Sequence, residues 1–177
     1  RQLLGWPRQR QTASEMGIAR GRLQEERRLW RKDHPHAFVA KPRALADGSQ
    51  DVLNWDCIVP GKAGTIWEGG RYPVVMEFSE DYPSKPPVCR FGKDPHGKPL
   101  FHPNIYPSGK ICLSLLDAEK SWKPALTIKN LLIGIQALLD DPNNNDPAQE
   151  EPFRIYKNDR AAYERRVKEQ AKLFAGN

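Results

Sequence analysis

The chain has 177 residues, 38% of them hydrophobic, and carries 28 Lys and Arg against 22 Asp and Glu for a net charge of +6 at pH 7. That is apolar material for one core and too little for a second, because a chain of about 150 residues buries roughly 68–70% of its unfolded surface. The most apolar stretch, residues 126–139, is broken by Lys129, Asn130 and Gln136 and falls short of the ~20 residues a membrane helix requires, which argues against a membrane partner.

Three cysteines, at 57, 89 and 112, stand singly with no Cys-x-x-Cys pair, so neither a disulfide framework nor a zinc knuckle is indicated. The His34-x-His36 pair has no companion ligand cluster, and no metal is expected. The positive charge would steer an acidic partner, either nucleic acid or an acidic protein face.

Residues 1–15 are rich in Arg, Gln, Ser and Thr and lack an apolar signal-peptide core. They are expected to form a disordered leader, or to lie upstream of a natural start at Met16, which leaves residues 16–177 as one domain. A myristoylation signal beginning at Gly17 would need Ser or Thr where this chain has Gly21. From Ile18 to Asp33 the spacing of Ala19, Leu23 and Trp30 predicts a helix that ends at His34-Pro35, with basic residues on its other faces. Residues 38–43 read as a strand and Asp47-Gly48 as a turn. Leu53, Trp55, Cys57 and Val59 then alternate with polar neighbours, as a half-buried strand should, which makes Cys57 a core residue. A third strand covers 71–78 and a short fourth one 88–91, with Cys89 structural inside it. Four strands in succession with short polar connections predict an antiparallel meander.

Some twenty residues between Phe91 and Cys112 show no periodicity, which in a compact domain points to a functional loop. Thr127 is a candidate N-cap for a helix carrying Ile128, Leu131, Leu132, Ile135 and Leu139 and stopping at Asp141-Pro142. Residues 143–147 read as a turn. A last helix is expected over 160–174 on Tyr163, Val167, Ala171 and Phe174.

The chemistry lies in the run His102-Pro103-Asn104-Ile105-Tyr106-Pro107-Ser108-Gly109-Lys110-Ile111-Cys112. Taken singly, a Cys between Ile111 and Leu113 is usually core, and His-Pro-Asn is usually turn chemistry. Together they suit acyl transfer through a thioester. A thiol attacks an activated carbonyl without the strong base a serine needs. An amide such as Asn104 could donate to the oxyanion, an interaction typically worth about 2.7–4 kcal/mol of barrier.

That run closely resembles the active-site segment of the ubiquitin-conjugating enzyme family. The resemblance extends over residues 17–175 and implies an α+β fold: an N-terminal helix, a four-stranded antiparallel meander, a central helix and C-terminal helices. Gly17-Ile18-Ala19, the run from Trp30 to Pro35, Pro60-Gly61-Lys62 before Trp67-Glu68-Gly69-Gly70, and Asp146-Pro147-Ala148-Gln149 are similar to the SUMO-conjugating branch. So is residues 117–121, slightly longer than ubiquitin-type members carry.

By that resemblance Cys112 would hold the C-terminal glycine of SUMO, and Asn104 would either stabilise the oxyanion or brace the loop beside it. Tyr106 and Asp146 would line the pocket for the attacking lysine. Deprotonating a lysine of pKa ~10.4 at pH 7 costs roughly 4.6 kcal/mol, and a partly desolvated slot reduces that cost. Arg27, Arg31 and His34 would meet the activating enzyme and a second, non-covalent SUMO, while Ser108, Lys110 and Ala148 would receive the acceptor motif of the substrate. The implied partners are SUMO, its activating enzyme, SUMO ligases and proteins with acceptor lysines. No cofactor is bound, ATP being used upstream by the activating enzyme, and the expected location is nucleus and cytoplasm.

Three features depart from the branch. Val88 stands where lysine is expected, Phe153 where tyrosine is expected, and the 92–99 stretch is longer than usual and should bulge into solvent. Two alternatives stay open on sequence: a ubiquitin carrier of the same fold, and a basic binding module with an idle cysteine. The second lacks exposed aromatics interleaved with its basic residues, which disfavours nucleic acid as a partner.

Overall fold

The structure, a computed structural model, describes residues 17–176; the expected leader and Met16 lie outside them. In chain order the elements are α1 (Ile18–Lys32), β1 (Val39–Ala44), β2 (Gln50–Pro60), β3 (Arg71–Glu77), β4 (Val88–Phe91), a 3-10 turn (Ser114–Leu116), α2 (Ile128–Asp140), α3 (Glu150–Asn158) and α4 (Arg160–Leu173). The strands form one antiparallel sheet in the order β1-β2-β3-β4. This is the predicted meander. β2 is longer than its alternating core residues implied, and its register against β1 shifts between Pro42 and Arg43.

One face of the sheet is the core face. Trp55, Cys57 and Val59 of β2, Tyr72, Val74 and Met76 of β3, and Cys89 and Phe91 of β4 are all buried, as the period-two pattern requires. Helices α1 and α2 both rest on β2. Thr127 caps α2 through a reciprocal box: its side chain accepts from the Asn130 N–H at 3.2 Å, and the Asn130 side chain accepts from the Thr127 N–H at 3.0 Å. Leu131, Leu132 and Ile135 of α2 are fully buried, each worth about 1.5–3 kcal/mol against exposure.

The buried stripe of α1 is Ala19, Leu23, Glu26 and Trp30, so a carboxylate occupies a position the sequence pattern left to apolar residues. Glu26 takes two hydrogen bonds from Arg22, at 2.9 and 2.8 Å, and one from the Ile128 N–H at the start of α2, at 3.1 Å. It therefore serves as an acidic cap for a helix 102 positions further along the chain.

Helix α3 buries Pro152 and Tyr156, four positions apart on one face. Pro152 lies in its first turn, where a missing N–H leaves no bond unmade, and reads as a breaker in the sequence. Val88 opens β4 half-buried, and Phe153 lies half-buried in α3 with the Lys157 ammonium 5.1 Å from its ring centre. The extension after β4 closes on itself: the Asp94 carboxylate accepts from the N–H groups of His96 and Lys98, both at 2.8 Å, and Asp94 N–H donates to the Lys98 carbonyl at 2.9 Å. Lys93, Pro95, His96, Gly97 and Lys98 are exposed, the expected bulge.

Candidate functional site

The aperiodic segment after β4 is held down residue by residue. Leu100, Phe101, His102, Asn104, Ile105 and Ile111 are buried, and short bridges pair Ile105 with Ile111 and Arg90 with Lys110. His102 is fully enclosed. Its Nδ1 accepts from the Asn104 N–H at 3.0 Å, which leaves Nε2 to donate to the Leu138 carbonyl at 2.9 Å. Burial drives its pKa down to about 4, so the ring is neutral. Between Tyr106 and Lys110 the chain doubles back. Tyr106 N–H donates to the Lys110 carbonyl at 2.9 Å and Gly109 N–H to the Tyr106 carbonyl at 2.8 Å. Gly109 turns at φ +89, and a Cβ there would lie 2.5 Å from the Phe91 carbonyl oxygen.

This turn delivers Cys112 to a shallow groove of about 300 Å³ lined by Tyr106, Lys110, Leu113, Leu116, Asp117 and Lys120 among others. Cys112 is half-exposed, whereas Cys57 and Cys89 are buried. Burial pushes the thiols of both up, so neither ionises near neutral pH. The Cys112 thiol is also raised, first by partial desolvation and then by the Asp146 carboxylate. Lys120 and the Tyr106 hydroxyl pull it back.

Asn104 is buried beneath this groove. Its backbone carbonyl accepts from the Cys112 N–H at 2.9 Å. Its side-chain NH₂ donates to the carbonyls of Asn143 at 2.7 Å and Asp146 at 2.8 Å, and its Oδ1 accepts from the Asn143 N–H at 2.8 Å. Both amide hydrogens are thus committed to the 143–146 segment, and the residue ties the cysteine strand to the loop that carries Asp146. The Asp146 carboxylate in turn accepts from Asn143 Nδ2 at 3.0 Å and pairs with Lys120 Nζ at 3.4 Å.

Cys112, Asn104, Tyr106, Asp146 and Lys110 are therefore gathered at one place. Ser108 is exposed in the adjoining turn, where its hydroxyl accepts from the Lys110 N–H at 3.3 Å. Ala148 is half-buried, its N–H donating to the Pro103 carbonyl at 2.8 Å. Arg27 and Arg31 belong to a different surface, a groove of about 450 Å³ between α1 and the β1–β2 edge that shares no residue with the first. Arg27 hydrogen-bonds Gln50 there. His34, just past α1, stacks on Trp30 and bonds its carbonyl at 2.8 Å. No group of three or more His, Cys, Asp or Glu side chains among the described residues could hold a metal ion.

Sequence reasoning missed three participants. Lys120 and Asp117 were visible only as part of a longer segment, although a cation and an acid shortly after a candidate nucleophile were a usable signal. Asn143, which holds both Asn104 and Asp146, gave none.

Residues 22–171 match the sequence profile of the family described as ubiquitin-conjugating enzyme. The chain is similar to the SUMO-conjugating enzyme UBC9 of Caenorhabditis elegans, at 58% identity over 90% of this chain and 93% of that protein. It is 56% identical to SUMO-conjugating enzyme SCE1 of Arabidopsis thaliana, over 89% of this chain and 96% of that one. The SUMO-conjugating enzyme ubc9 of Dictyostelium discoideum is 52% identical over the same shares.

Proposed function

Because the chain belongs to the ubiquitin-conjugating enzyme family, we propose that it accepts SUMO as a thioester on Cys112 and passes it to the amine of a substrate lysine as an isopeptide. The observation that carries this reading is a single accessible thiol in an open groove, beside a carboxylate and a tyrosine, in a chain whose other two cysteines are buried.

The Cys112 sulfur takes the acyl group from the activating enzyme, where ATP has been spent. The lysine nitrogen then attacks the thioester carbonyl, the carbon–sulfur bond breaks, and the thiolate leaves. Asp146 orients the incoming amine and is placed to accept its proton; Tyr106 walls the groove and shields the lysine stem from water. Asn104 acts by bracing. Its two amide hydrogens hold the 143–146 segment, and donation to an oxyanion would require giving up one of them. Arg27, Arg31 and His34 offer a cationic face to the activating enzyme or to a second SUMO, and Ser108, Lys110 and Ala148 flank the groove where an acidic acceptor motif would lie.

Incubation with activating enzyme, ATP and SUMO should yield an adduct that reductant removes, and its persistence in Cys112→Ala rejects the assignment. Loading with ubiquitin and its own activating enzyme alongside should give far less adduct; equal loading would make the protein a carrier of both.

A further inference from the structure

Asp146, the carboxylate assigned above to the incoming lysine, already holds a primary ammonium. Lys120 Nζ stands 3.4 Å from Asp146 Oδ2, the same oxygen that accepts from Asn143. Lys120 also lines the groove that contains Cys112 and Tyr106. A second carboxylate waits beside it, with Asp117 Oδ2 at 3.9 Å from the same nitrogen. Among the described residues no other cation pairs with Asp146.

We propose that Lys120 is a resident stand-in for the acceptor lysine: between transfers it occupies Asp146, and the substrate lysine must displace it onto Asp117 before attacking the thioester. The proposal rests on the reading of Cys112 and Asp146 given above. Two carboxylates serve one ammonium, so displacement is a short sideways move and not an exposure of an unpaired charge. All three side chains are between 40% and 47% exposed, which keeps the competition mild. Asp146, and less strongly Asp117, raise the Lys120 pKa, as paired carboxylates should for an ammonium they hold.

Occupancy by a stand-in reduces the apparent affinity for the true acceptor by the fraction of sites left open. Removing Lys120 should therefore change how much lysine is needed more than how fast bound lysine reacts. The test uses full-length wild type, Lys120→Met and Lys120→Arg, each loaded to completion with SUMO and freed of activating enzyme, so that loading drops out. Discharge to free lysine is followed over a range of lysine concentrations.

Lys120→Met should lower the half-saturating lysine concentration by about three- to tenfold with less than a twofold change in the limiting rate, and Lys120→Arg, which keeps a cation on Asp146, should stay near wild type. An unchanged or raised half-saturating concentration in Lys120→Met overturns the proposal, as does an arginine variant that behaves like the methionine one. Failure of the underlying reading looks different: the wild type would form no reductant-sensitive adduct, or Asp146→Asn would discharge to lysine as readily as wild type.

Discussion

His102 permits a quantitative test of how the active-site loop is held. In the folded protein Nδ1 accepts from the Asn104 N–H and Nε2 donates to the Leu138 carbonyl. A proton on Nδ1 would set donor against donor in a fully buried site, and burial lowers the pKa to about 4. The unfolded chain releases the same proton near pH 6.5. A depressed native pKa contributes stability that is complete above the unfolded value and lost as pH falls through the folded one. From these two values the loss attributable to His102 is about 2 kcal/mol by about pH 5 and about 3 kcal/mol by about pH 4, at ~1.36 kcal/mol per unit. Urea unfolding followed by tryptophan fluorescence at about pH 7.5 and pH 5 measures it. The wild type should lose about 2 kcal/mol more across that interval than His102→Gln, whatever the starting stability of the variant, because carboxylate contributions are common to both. Equal losses would refute the argument. So would an imidazole NMR signal of His102 that titrates near pH 6.5 in the folded protein.

Neutralising the anion next to the thiol should make Cys112 more reactive: Asp146→Asn lowers the thiol pKa and should speed iodoacetamide alkylation near pH 7 several-fold, with the rate still rising towards higher pH. Mass spectrometry should find the label on Cys112 alone in folded protein, and labelling of Cys57 or Cys89 at a comparable rate would contradict their burial. Glu26→Ala leaves the partly buried Arg22 without its carboxylate and α2 without its acidic cap, and should cost about 3 kcal/mol in chemical unfolding. Asn104→Ala strips three hydrogen bonds from the 143–146 segment, at about 1 kcal/mol each. Amide exchange there should accelerate while exchange in α2 changes little. Gly109→Ala forces a Cβ against the Phe91 carbonyl at a positive φ and should lower stability by about 1–3 kcal/mol.

Elements whose identity is written in local spacing were legible. Ala19, Leu23 and Trp30 announced α1, Thr127 with the Ile128–Leu139 pattern announced α2, and period-two runs announced the sheet. Elements decided by distant partners were not. Glu26 is buried because Arg22 and the start of α2 satisfy it, a fact no window around residue 26 contains. Helix α3 was given no bounds of its own in the sequence, and Pro152 is compatible with it only because it falls in the first turn. The site divides the same way. Cys112, Asn104, Tyr106 and Asp146 carried enough pattern to be named, but the direction of the Asn104 amide depends on carbonyls some forty positions away. The hold of Lys120 on Asp146 joins residues 26 positions apart in two loops.

The turn after β4 has a practical corollary. Asp94 fastens the two ends of the turn, and the residues from Pro95 to Lys98 are exposed. It is therefore a natural insertion port: a fluorophore-binding peptide or an affinity handle grafted between Pro95 and Gly97 would ride on a self-sealed knot and report from a fixed point on the molecule.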